Sequence, residues 1–260
     1  SKNVEDAALL LEVIAGKDEF DSTVSQSPVP EYSKNLAFDK KVKIGYLNAG
    51  LTSQGLQKEV AENTQSAIDL LKKEGHELEG FDFNLTDYFL PTYYVLTAAE
   101  ASTNLSRFDG VRYGYRSSKT TDLESMYKKS RGEGFGKEVK CIMLGTFVLS
   151  HGYYDAYYTK AQKIWRLIKE ETEKLLTKYD FLILPTAPTT AFSIGEHSKD
   201  PLSMYLADIF TVQASLAGMP AISIPNGTDK DGMPIGLQII SNKFNESQLL
   251  AFSSYLLSKN

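Results

Sequence analysis

The chain has 260 residues, 42% of them hydrophobic, which is enough to bury one large core or two smaller ones. Its formal net charge of −5 excludes an overall positive field that would attract nucleic acid, so any contact with RNA must come from a local basic patch or from a partner. A single cysteine excludes an internal disulfide, and three dispersed histidines form no Cys/His cluster for zinc; a reducing cytoplasm fits this usage.

The amino-terminal segment is typical of neither a signal peptide nor a membrane span. Apolar runs such as residues 142–149 are far shorter than the roughly 20 residues that span a bilayer. Ser1 leads directly into an amphipathic helix with no initiator methionine. We therefore expect the chain to be a piece cut from a longer protein.

The first part of the chain predicts a βαβ unit. Asn3 is suited to cap a helix from Val4 to about Ala15, and Gly16 is placed to end it. The elements predicted next are a strand at 41–47, a helix at 56–74 and a strand at 76–83. Such a unit implies two parallel strands joined by a right-handed crossover.

The remainder is first helical and then rich in strands. Thr121 and Glu124 form a capping box that predicts a helix start, and the glycine-rich residues 132–136 predict an ordinary linker. The later predicted elements are helices at 138–149, 154–177 and 246–257, and strands at 181–184, 221–224 and 235–240. The wholly apolar strand 181–184 is typical of the middle of a parallel sheet covered on both faces, and the turn-rich residues 225–234 suit a hairpin. The fold class is therefore predicted to be α/β with a mixed sheet.

The usual carriers of catalysis are missing from the sequence. It contains no Gly-x-Ser-x-Gly elbow, no phosphate-binding loop and no Gly-x-Gly-x-x-Gly turn. We interpret His76 and His197 as solvated, and His151 as a weak candidate for lining a site. Cys141 has no base beside it and begins the apolar helical run 142–149, so we expect a buried, unreactive thiol.

A polar loop follows the central apolar strand. Ligands of open α/β sheets bind beyond the carboxyl ends of the strands. Here strand 181–184 runs into Pro-Thr-Ala-Pro-Thr-Thr at 185–190, where prolines stiffen the backbone and threonines present hydroxyl groups. Thr186 and Thr189 are therefore candidates for a loop that frames a polar ligand. The alternative is a rigid surface turn.

Several segments carry a resemblance to a known family. Four segments resemble the carboxyl-terminal half of the amidase signature family. They are Leu-Pro-Thr-Ala-Pro-Thr-Thr-Ala-Phe at 184–192, Met-Tyr-Leu-Ala-Asp-Ile-Phe-Thr at 204–211, Ala-Ser-Leu-Ala-Gly-Met-Pro at 214–220 and Gly-Met-Pro-Ile-Gly-Leu-Gln at 232–238. Within that family, residues 104–114 and 152–158 resemble the A subunits of the glutamyl-tRNA(Gln)/aspartyl-tRNA(Asn) amidotransferases. The resemblance extends over essentially the whole chain.

The resemblance implies an amidase-signature fold, a mixed β-sheet covered by helices on both faces. Residues 1–260 would form the carboxyl-terminal part of a single amidase domain. The implied activity is hydrolysis of free glutamine by a Lys, cis-Ser, Ser triad that lies in the amino-terminal half. No Gly-Gly-Ser-Ser-Gly-Gly-Ser-like run occurs here, so we expect no catalytic residue in this chain and no activity when it is alone.

The resemblance also implies partners. Ammonia released from glutamine would pass to a B subunit, which amidates misacylated tRNA with ATP and Mg, while a small C subunit wraps the assembly. This chain would bind no cofactor directly and would be cytoplasmic, with no membrane contact.

Substrate-binding residues follow from the same resemblance. Asp208 matches the position that binds the substrate ammonium, and Tyr93 matches a wall of the pocket. The alternatives are a solvated carboxylate for Asp208 and core packing for Tyr93.

The partner of the substrate carboxylate departs from the family pattern. The family segment before Ile-x-Leu-Gly-Thr-Phe reads Lys-Arg-Arg, with the last arginine facing the carboxylate, whereas here it reads Lys140-Cys141 and is one residue shorter. Neither a thiol nor a lysine offers the paired hydrogen bonds that an arginine makes to a carboxylate. A candidate for this role is therefore Arg112, and Arg107 or Arg116 are others. The alternative is a salt bridge that organises the loop 104–114.

Other functions stay open. The parent protein could be another amidase that acts on small or fatty amides, or the chain could be a non-catalytic scaffold that docks B-like and C-like subunits. Without the family, a two-layer α/β ligand-binding domain is the default. If the chain is a fragment that lacks its amino-terminal half, we expect exposed strand edges and exposed apolar surface.

Overall fold

The computed structural model describes residues 1–53, 55–195 and 206–259, and within α6 it leaves the side chain of Lys140 undescribed. The chain divides into two compact units. Unit 1 comprises Ser1–Thr86 and Ile168–Asn260, and unit 2 comprises Asp87–Leu167.

The helices and strands follow one another in a mixed order. The helices are α1 Val4–Ile14, α2 Ala49–Thr52, α3 Lys58–Lys73, α4 Phe89–Leu105, α5 Leu123–Gly134, α6 Lys137–Val148, α7 Lys160–Lys178, α8 Val212–Ala217 and α9 Glu246–Leu257. The strands are β1 Lys43–Leu47, β2 Glu77–Phe81, β3 Phe181–Pro185, β4 Ala221–Thr228 and β5 Pro234–Ser241. A π-helical turn, Tyr154–Thr159, leads directly into α7.

Within the described residues of unit 1, the strands form one mixed sheet in the order β2-β1-β3-β5-β4. Strand β1 pairs in parallel with β2 and β3, which confirms the predicted βαβ unit. Strand β5 pairs antiparallel with β3 and β4, which confirms the predicted hairpin. All five residues of β3 are buried at the centre of the sheet, as predicted, although only one of its two neighbours is parallel.

Alternate residues of β3 face two different helical layers. Phe181 and Ile183 belong to a cluster that includes buried residues of α1, α3 and α9, namely Val4, Ala8, Ala67, Ile68, Leu71, Leu249, Phe252 and Leu256. Successive strand residues point to opposite faces, so Leu182 and Leu184 face the other side. On that side Gln238, which pairs with Leu184, donates from Nε2 to Phe210 O just before α8. Gln213 Nε2 of α8 in turn donates a 3.2 Å hydrogen bond to Thr172 Oγ1 of α7. Helices therefore cover both faces, as the resemblance implies.

The predicted helix caps are close to the observed ones. Asp6 N donates to Asn3 Oδ1 over 2.6 Å, which confirms the cap of α1. The capping box of α5 lies one residue later than predicted, because Asp122 accepts from the Ser125 N–H at 2.8 Å while Ser125 Oγ accepts from the Asp122 N–H at 3.1 Å. The expected linker at 132–136 is also wrong in its extent, since α5 continues to Gly134.

The expectation that Cys141 begins a buried segment is wrong. Cys141 is exposed, and so are Met143, Leu144 and Phe147. Helix α6 packs against α4 through Gly145, where an added Cβ would lie 1.9 Å from the carbonyl oxygen of Ala98. The apolar pattern of α6 is nearly continuous, but only the side with Gly145 and Val148 is buried in unit 2.

The interpretation of His76 as solvated is also wrong. Its side chain is buried, and Val42 N donates a 3.3 Å hydrogen bond to Nδ1. The ring lies edge-on to Phe252 and Tyr255, with centroids at 5.9 and 5.6 Å. Burial and, after it, the charge of Lys41 lower the pKa of His76. His151 is exposed, and His197 lies outside the described residues.

Candidate functional site

Polar side chains gather where the three parallel strands of unit 1 end, an edge that we call the carboxyl edge. Asn48 follows β1, and its Nδ2 donates a 2.9 Å hydrogen bond to Oδ1 of Asp82, which follows β2. Thr186 follows β3, and its Oγ1 lies 2.6 Å from Ser223 Oγ of β4. The carboxyl edge is where α/β sheets bind their ligands, so its polar groups define a candidate site.

The loop after β3 is fixed by contacts from distant parts of the chain. Thr190 N donates to Gln57 Oε1 at 2.9 Å, and Gln57 N donates to Pro188 O at 2.8 Å. Thr190 Oγ1 donates to Asp229 Oδ2 at 2.7 Å. This hydroxyl and, after it, the Met233 N–H lower the pKa of Asp229. The loop is therefore held rigidly at the carboxyl edge.

Sequence reasoning missed Gln57 and Asp229. They are 133 and 39 residues from Thr190 along the chain, and neither belongs to a local motif. Of the predicted threonines, half-buried Thr186 also donates its N–H to Gly236 O at 2.9 Å, whereas Thr189 is exposed. Thr186 is therefore hydrogen-bonded to the hairpin of β4 and β5, whereas Thr189 faces solvent.

Asp208 lies in the turn that precedes α8, and its side chain is exposed. Its backbone carbonyl accepts hydrogen bonds from Thr211 N at 3.1 Å and Val212 N at 3.2 Å. Gln238 Nε2 of β5 donates to Phe210 O at 2.7 Å, which ties this turn to the sheet. An exposed carboxylate on a fixed turn is suited to accept hydrogen bonds from an ammonium group.

The two other predicted site residues lie in unit 2, whereas Asp208, Thr186 and Thr189 lie in unit 1. Tyr93 of α4 is half-buried, and its ring is edge-on to that of Tyr94 with centroids 5.3 Å apart. Arg112 is exposed. The turn with Asp208 and the residue Thr186 are therefore each tied to the sheet of unit 1, whereas Tyr93 and Arg112 belong to unit 2.

Arg112 organises its own loop. Its Nε lies 2.7 Å from Asp109 Oδ2, while the backbone N–H groups of Arg112 and Val111 donate to Asp109 Oδ1 at 2.8 and 2.9 Å. The two N–H groups and, after them, the guanidinium lower the pKa of Asp109 to about 2. The alternative interpretation of Arg112 as a salt-bridge residue of the loop 104–114 is thus what the structure shows.

A polar cleft of about 410 Å³ opens elsewhere in unit 1. It is lined by the residues just before β3 and just after β5, at 176–180 and 242–245. Because these residues flank the amino-terminal end of β3, the cleft lies at the edge opposite Thr186. It is therefore separate from the candidate site.

Neither a metal cluster nor a membrane-spanning helix is found over the described ranges 1–53, 55–195 and 206–259. Within them, no group of three or more His, Cys, Asp or Glu side chains is arranged to hold a metal ion. None of the helices in that part of the chain is both long and apolar enough to cross a membrane.

A mixed sheet with helices on both faces and polar loops at the carboxyl edge defines the class of α/β ligand-binding proteins and enzymes. The chain belongs to the amidase family, since the family model described as Amidase matches residues 1–250. This finding agrees with the resemblance seen in the sequence.

Curated relatives carry a more specific name. The chain is 49% identical over 254 residues to the A subunit of the glutamyl-tRNA(Gln) amidotransferase of Trichodesmium erythraeum, a match that covers 96% of the chain and 52% of the relative. It is 51% identical over 251 residues to the protein of the same name from Acaryochloris marina, again covering 96% and 52%. The chain thus spans about half the length of the curated relatives it matches.

Solved structures show the same relationship. The crystal structure of the A subunit of the Thermotoga maritima glutamyl-tRNA(Gln) amidotransferase is similar with a TM-score of 0.75 and 36% identity, over 100% of this chain and 51% of that one. A 6-aminohexanoate cyclic dimer hydrolase matches with a TM-score of 0.74 and 21% identity, over 99% of this chain and 53% of that one. At that identity the second match shows the fold alone.

Proposed function

We propose that the chain is the substrate-binding part of the A subunit of a glutamyl-tRNA(Gln) amidotransferase. The whole enzyme would hydrolyse glutamine and use the ammonia to convert Glu-tRNA(Gln) to Gln-tRNA(Gln), or Asp-tRNA(Asn) to Asn-tRNA(Asn). The observation that carries the proposal is the 49% identity over 254 residues to a relative of that name. The residues that perform the chemistry would lie in a part of the subunit outside these 260 residues.

Two features of unit 1 support this role. Free glutamine presents an ammonium, a carboxylate and an amide, so a selective site needs an anionic acceptor beside fixed polar groups. Asp208 supplies an exposed carboxylate, and the loop with Thr186 and Thr189 is held in place by Gln57 and Asp229. Ammonium binding by Asp208 is the central step of the proposed recognition.

The partners follow from the same proposal. A B subunit would receive the ammonia and amidate the misacylated tRNA with ATP and Mg, and a C subunit would complete a cytoplasmic heterotrimer.

A chimera tests the proposal. This chain would replace the matching half of the Trichodesmium erythraeum relative, which would be expressed together with its partner subunits. We expect the chimera to hydrolyse glutamine and to form Gln-tRNA(Gln), while the isolated chain shows no turnover. Hydrolysis of acetamide but not glutamine would favour another amidase, and assembly with the partners without any hydrolysis would favour a scaffold.

Substitution of Asp208 in the chimera tests its role in binding. Because a hydrogen bond to a charged group contributes about 1.5–3 kcal/mol, Asp208→Asn should raise KM for glutamine by about tenfold or more. Asp231→Asn, at another exposed aspartate of unit 1, is the matched control and should leave KM unchanged. Equal KM values for both variants would contradict the assignment.

The segment at Cys141 offers a gain-of-function test. Helix α6 contains both Lys140 and Cys141. Because this segment is one residue shorter than that of the family, the residues that precede Cys141 are rotated by about 100° around the helix axis relative to the family pattern. Replacing Cys141 with Arg-Arg in the chimera would restore the family's Lys-Arg-Arg and should lower KM for glutamine. An unchanged KM would contradict the idea that Cys141 stands in place of a carboxylate-binding arginine.

A further inference from the structure

Unit 2 is basic although the whole chain is acidic. Residues 87–167 contain twelve Lys and Arg against eight Asp and Glu, whereas the whole chain has 28 against 33. The same residues include ten of the fifteen tyrosines. Positive charge and aromatic side chains are therefore concentrated in one unit, which the overall net charge conceals.

One loop of unit 2, residues 107–119, combines both properties, and we call it the basic loop. It contains four basic residues, three aromatic residues and one acidic residue. The basic and aromatic side chains are all exposed; they are Arg107, Phe108, Arg112, Tyr113, Tyr115, Arg116 and Lys119. Alternation of cations with exposed rings is typical of surfaces that bind single-stranded nucleic acid.

The basic loop is held firmly in place. Val111 is buried, and Ser117 N donates a 3.1 Å hydrogen bond to Ser130 Oγ of α5. Arg131 Nε of α5 donates to Asp109 O at 2.8 Å. The exposed rings of Tyr113 and Tyr115 lie between the anchors at 111 and 117. A surface that is already ordered loses little entropy when a ligand binds.

The cations of the basic loop keep donors for a ligand. Arg107 Nε donates to Asn104 O, and Arg116 Nη2 donates to Met126 Sδ, each at 2.9 Å. A guanidinium has five N–H groups, so these bonds leave further donors on both exposed side chains. On α5, Lys129 bonds to the carbonyl of Lys119, and the nearby Glu133 accepts a 2.6 Å hydrogen bond from the hydroxyl of Tyr115.

We propose that the basic loop binds unpaired nucleotides of an RNA, with Arg107, Arg116 and Lys119 on phosphates and the ring of Tyr113 stacked on a base. Tyr113 is 58% exposed and meets Phe108 edge-on, with centroids 5.1 Å apart. Charge alone would suit an acidic protein equally well, but exposed rings among the arginines favour bases. The identity of the RNA as a tRNA rests on the proposed function, which assigns no RNA contact to this chain.

Fluorescence anisotropy with a labelled tRNA(Gln) transcript and with a short oligouridylate tests the proposal on the 260-residue chain. The triple variant Arg107→Gln/Arg116→Gln/Lys119→Gln, which keeps the ion pair between Arg112 and Asp109, should bind both RNAs at least about tenfold more weakly. For this variant, the slope of log affinity plotted against log salt concentration should be shallower by about two. Each lost phosphate contact reduces that slope by roughly 0.7–0.9. Tyr113→Ala should weaken binding by about tenfold and leave the salt dependence unchanged.

A matched control removes the same charge from unit 1. Lys58, Lys73 and Lys230 are exposed, so Lys58→Gln/Lys73→Gln/Lys230→Gln changes the net charge equally. We expect this control to change RNA affinity by about twofold or less. Circular dichroism of every variant should match that of the unsubstituted chain.

Three results would overturn the proposal. The first is that the unsubstituted chain binds no RNA at about 50 mM salt. The second is an equal loss of RNA affinity in the two triple variants. The third is that the chain binds polyglutamate as tightly as RNA and that Tyr113→Ala leaves RNA affinity unchanged. The anisotropy measurement contains no glutamine, so it fails or succeeds independently of the chimera assay. A chimera that hydrolyses glutamine alongside a chain that binds no RNA would refute this inference alone.

Discussion

His76 shows how burial controls a titratable residue in this protein. The ring lies among Phe38, Phe252 and Tyr255, and the charged groups that face it are Lys41 and Glu74. Burial and Lys41 lower its pKa, while Glu74 raises it, and the lowering prevails. The folded state therefore holds His76 neutral at pH values where the unfolded chain takes up a proton.

The stability of the protein should consequently fall as the pH decreases below about 6.5, the usual pKa of histidine. The unfolded state binds more protons there, so the free energy of unfolding should decrease by up to about 1.4 kcal/mol per pH unit until the lowered pKa is reached. The variant His76→Asn keeps an acceptor for the Val42 N–H but cannot take up the proton. In urea titrations between pH 5 and 7, its free energy of unfolding should therefore lack this decrease with falling pH. The control His151→Gln, at an exposed position, should keep it.

Cys141 provides a second test at the residue scale. Because the thiol is exposed, a thiol reagent should modify the native chain at a rate within about tenfold of that for the unfolded chain. The measurement is absorbance after addition of a chromogenic disulfide, and Cys141→Ser should show no reaction. Modification only after unfolding would mean that the thiol is covered in solution.

At the scale of single elements, the packing of α4 on α6 depends on one glycine. A Cβ at Gly145 would lie 1.9 Å from Ala98 O and 2.7 Å from Ser102 Cβ. Ser102 Oγ and Thr146 Oγ1 are 2.7 Å apart across the same contact. The backbone of α6 at Gly145 therefore lies directly against the backbone of α4, where no larger residue fits.

Gly145→Ala should lower the free energy of unfolding by about 1–3 kcal/mol, because overpacking outweighs the better helix propensity of alanine. The matched control is Gly132→Ala in α5, where nothing lies within 4 Å of the added Cβ. That control should raise the free energy of unfolding by about 0.5–1 kcal/mol. Urea denaturation of both variants decides the question, and equal effects of the same sign would contradict the close approach of α4 and α6.

Elements with a strong local signal agree well with their predictions. Helix α9 is predicted at 246–257 and is observed as Glu246–Leu257, and the hairpin and the βαβ unit are confirmed. The predicted cap of α5 is off by one residue, because Asp122 competes with Thr121 for the same role. The expected burial of α6 is wrong because periodicity reports which side is apolar but not whether another element covers it.

At the scale of the molecule, the two units differ in their buried content. Every residue of β3 is buried at the centre of the sheet in unit 1, whereas in α6 of unit 2 only Gly145 and Val148 are buried among the described side chains. Amides with few buried neighbours open more readily than those in a core strand.

Hydrogen exchange should therefore separate the units. Amides of β3 should exchange at least about tenfold more slowly than those of α6, because β3 opens only with the core of unit 1. Mass spectrometry of peptic peptides measures both segments in one experiment, with the buried helix α9 as an internal reference. Equal protection of β3 and α6 would show that the described units open together.

The sequence by itself determined the α/β class, the order of the strands along the chain and the family, because local periodicity, turn chemistry and motif spacing are properties of contiguous residues. It also determined the concentration of basic and aromatic residues at 107–119. Only the tertiary structure decided that His76 is buried, that Cys141 is exposed and that Gln57 and Asp229 fix the loop after β3. These outcomes depend on contacts between residues far apart in the chain, which no local pattern encodes.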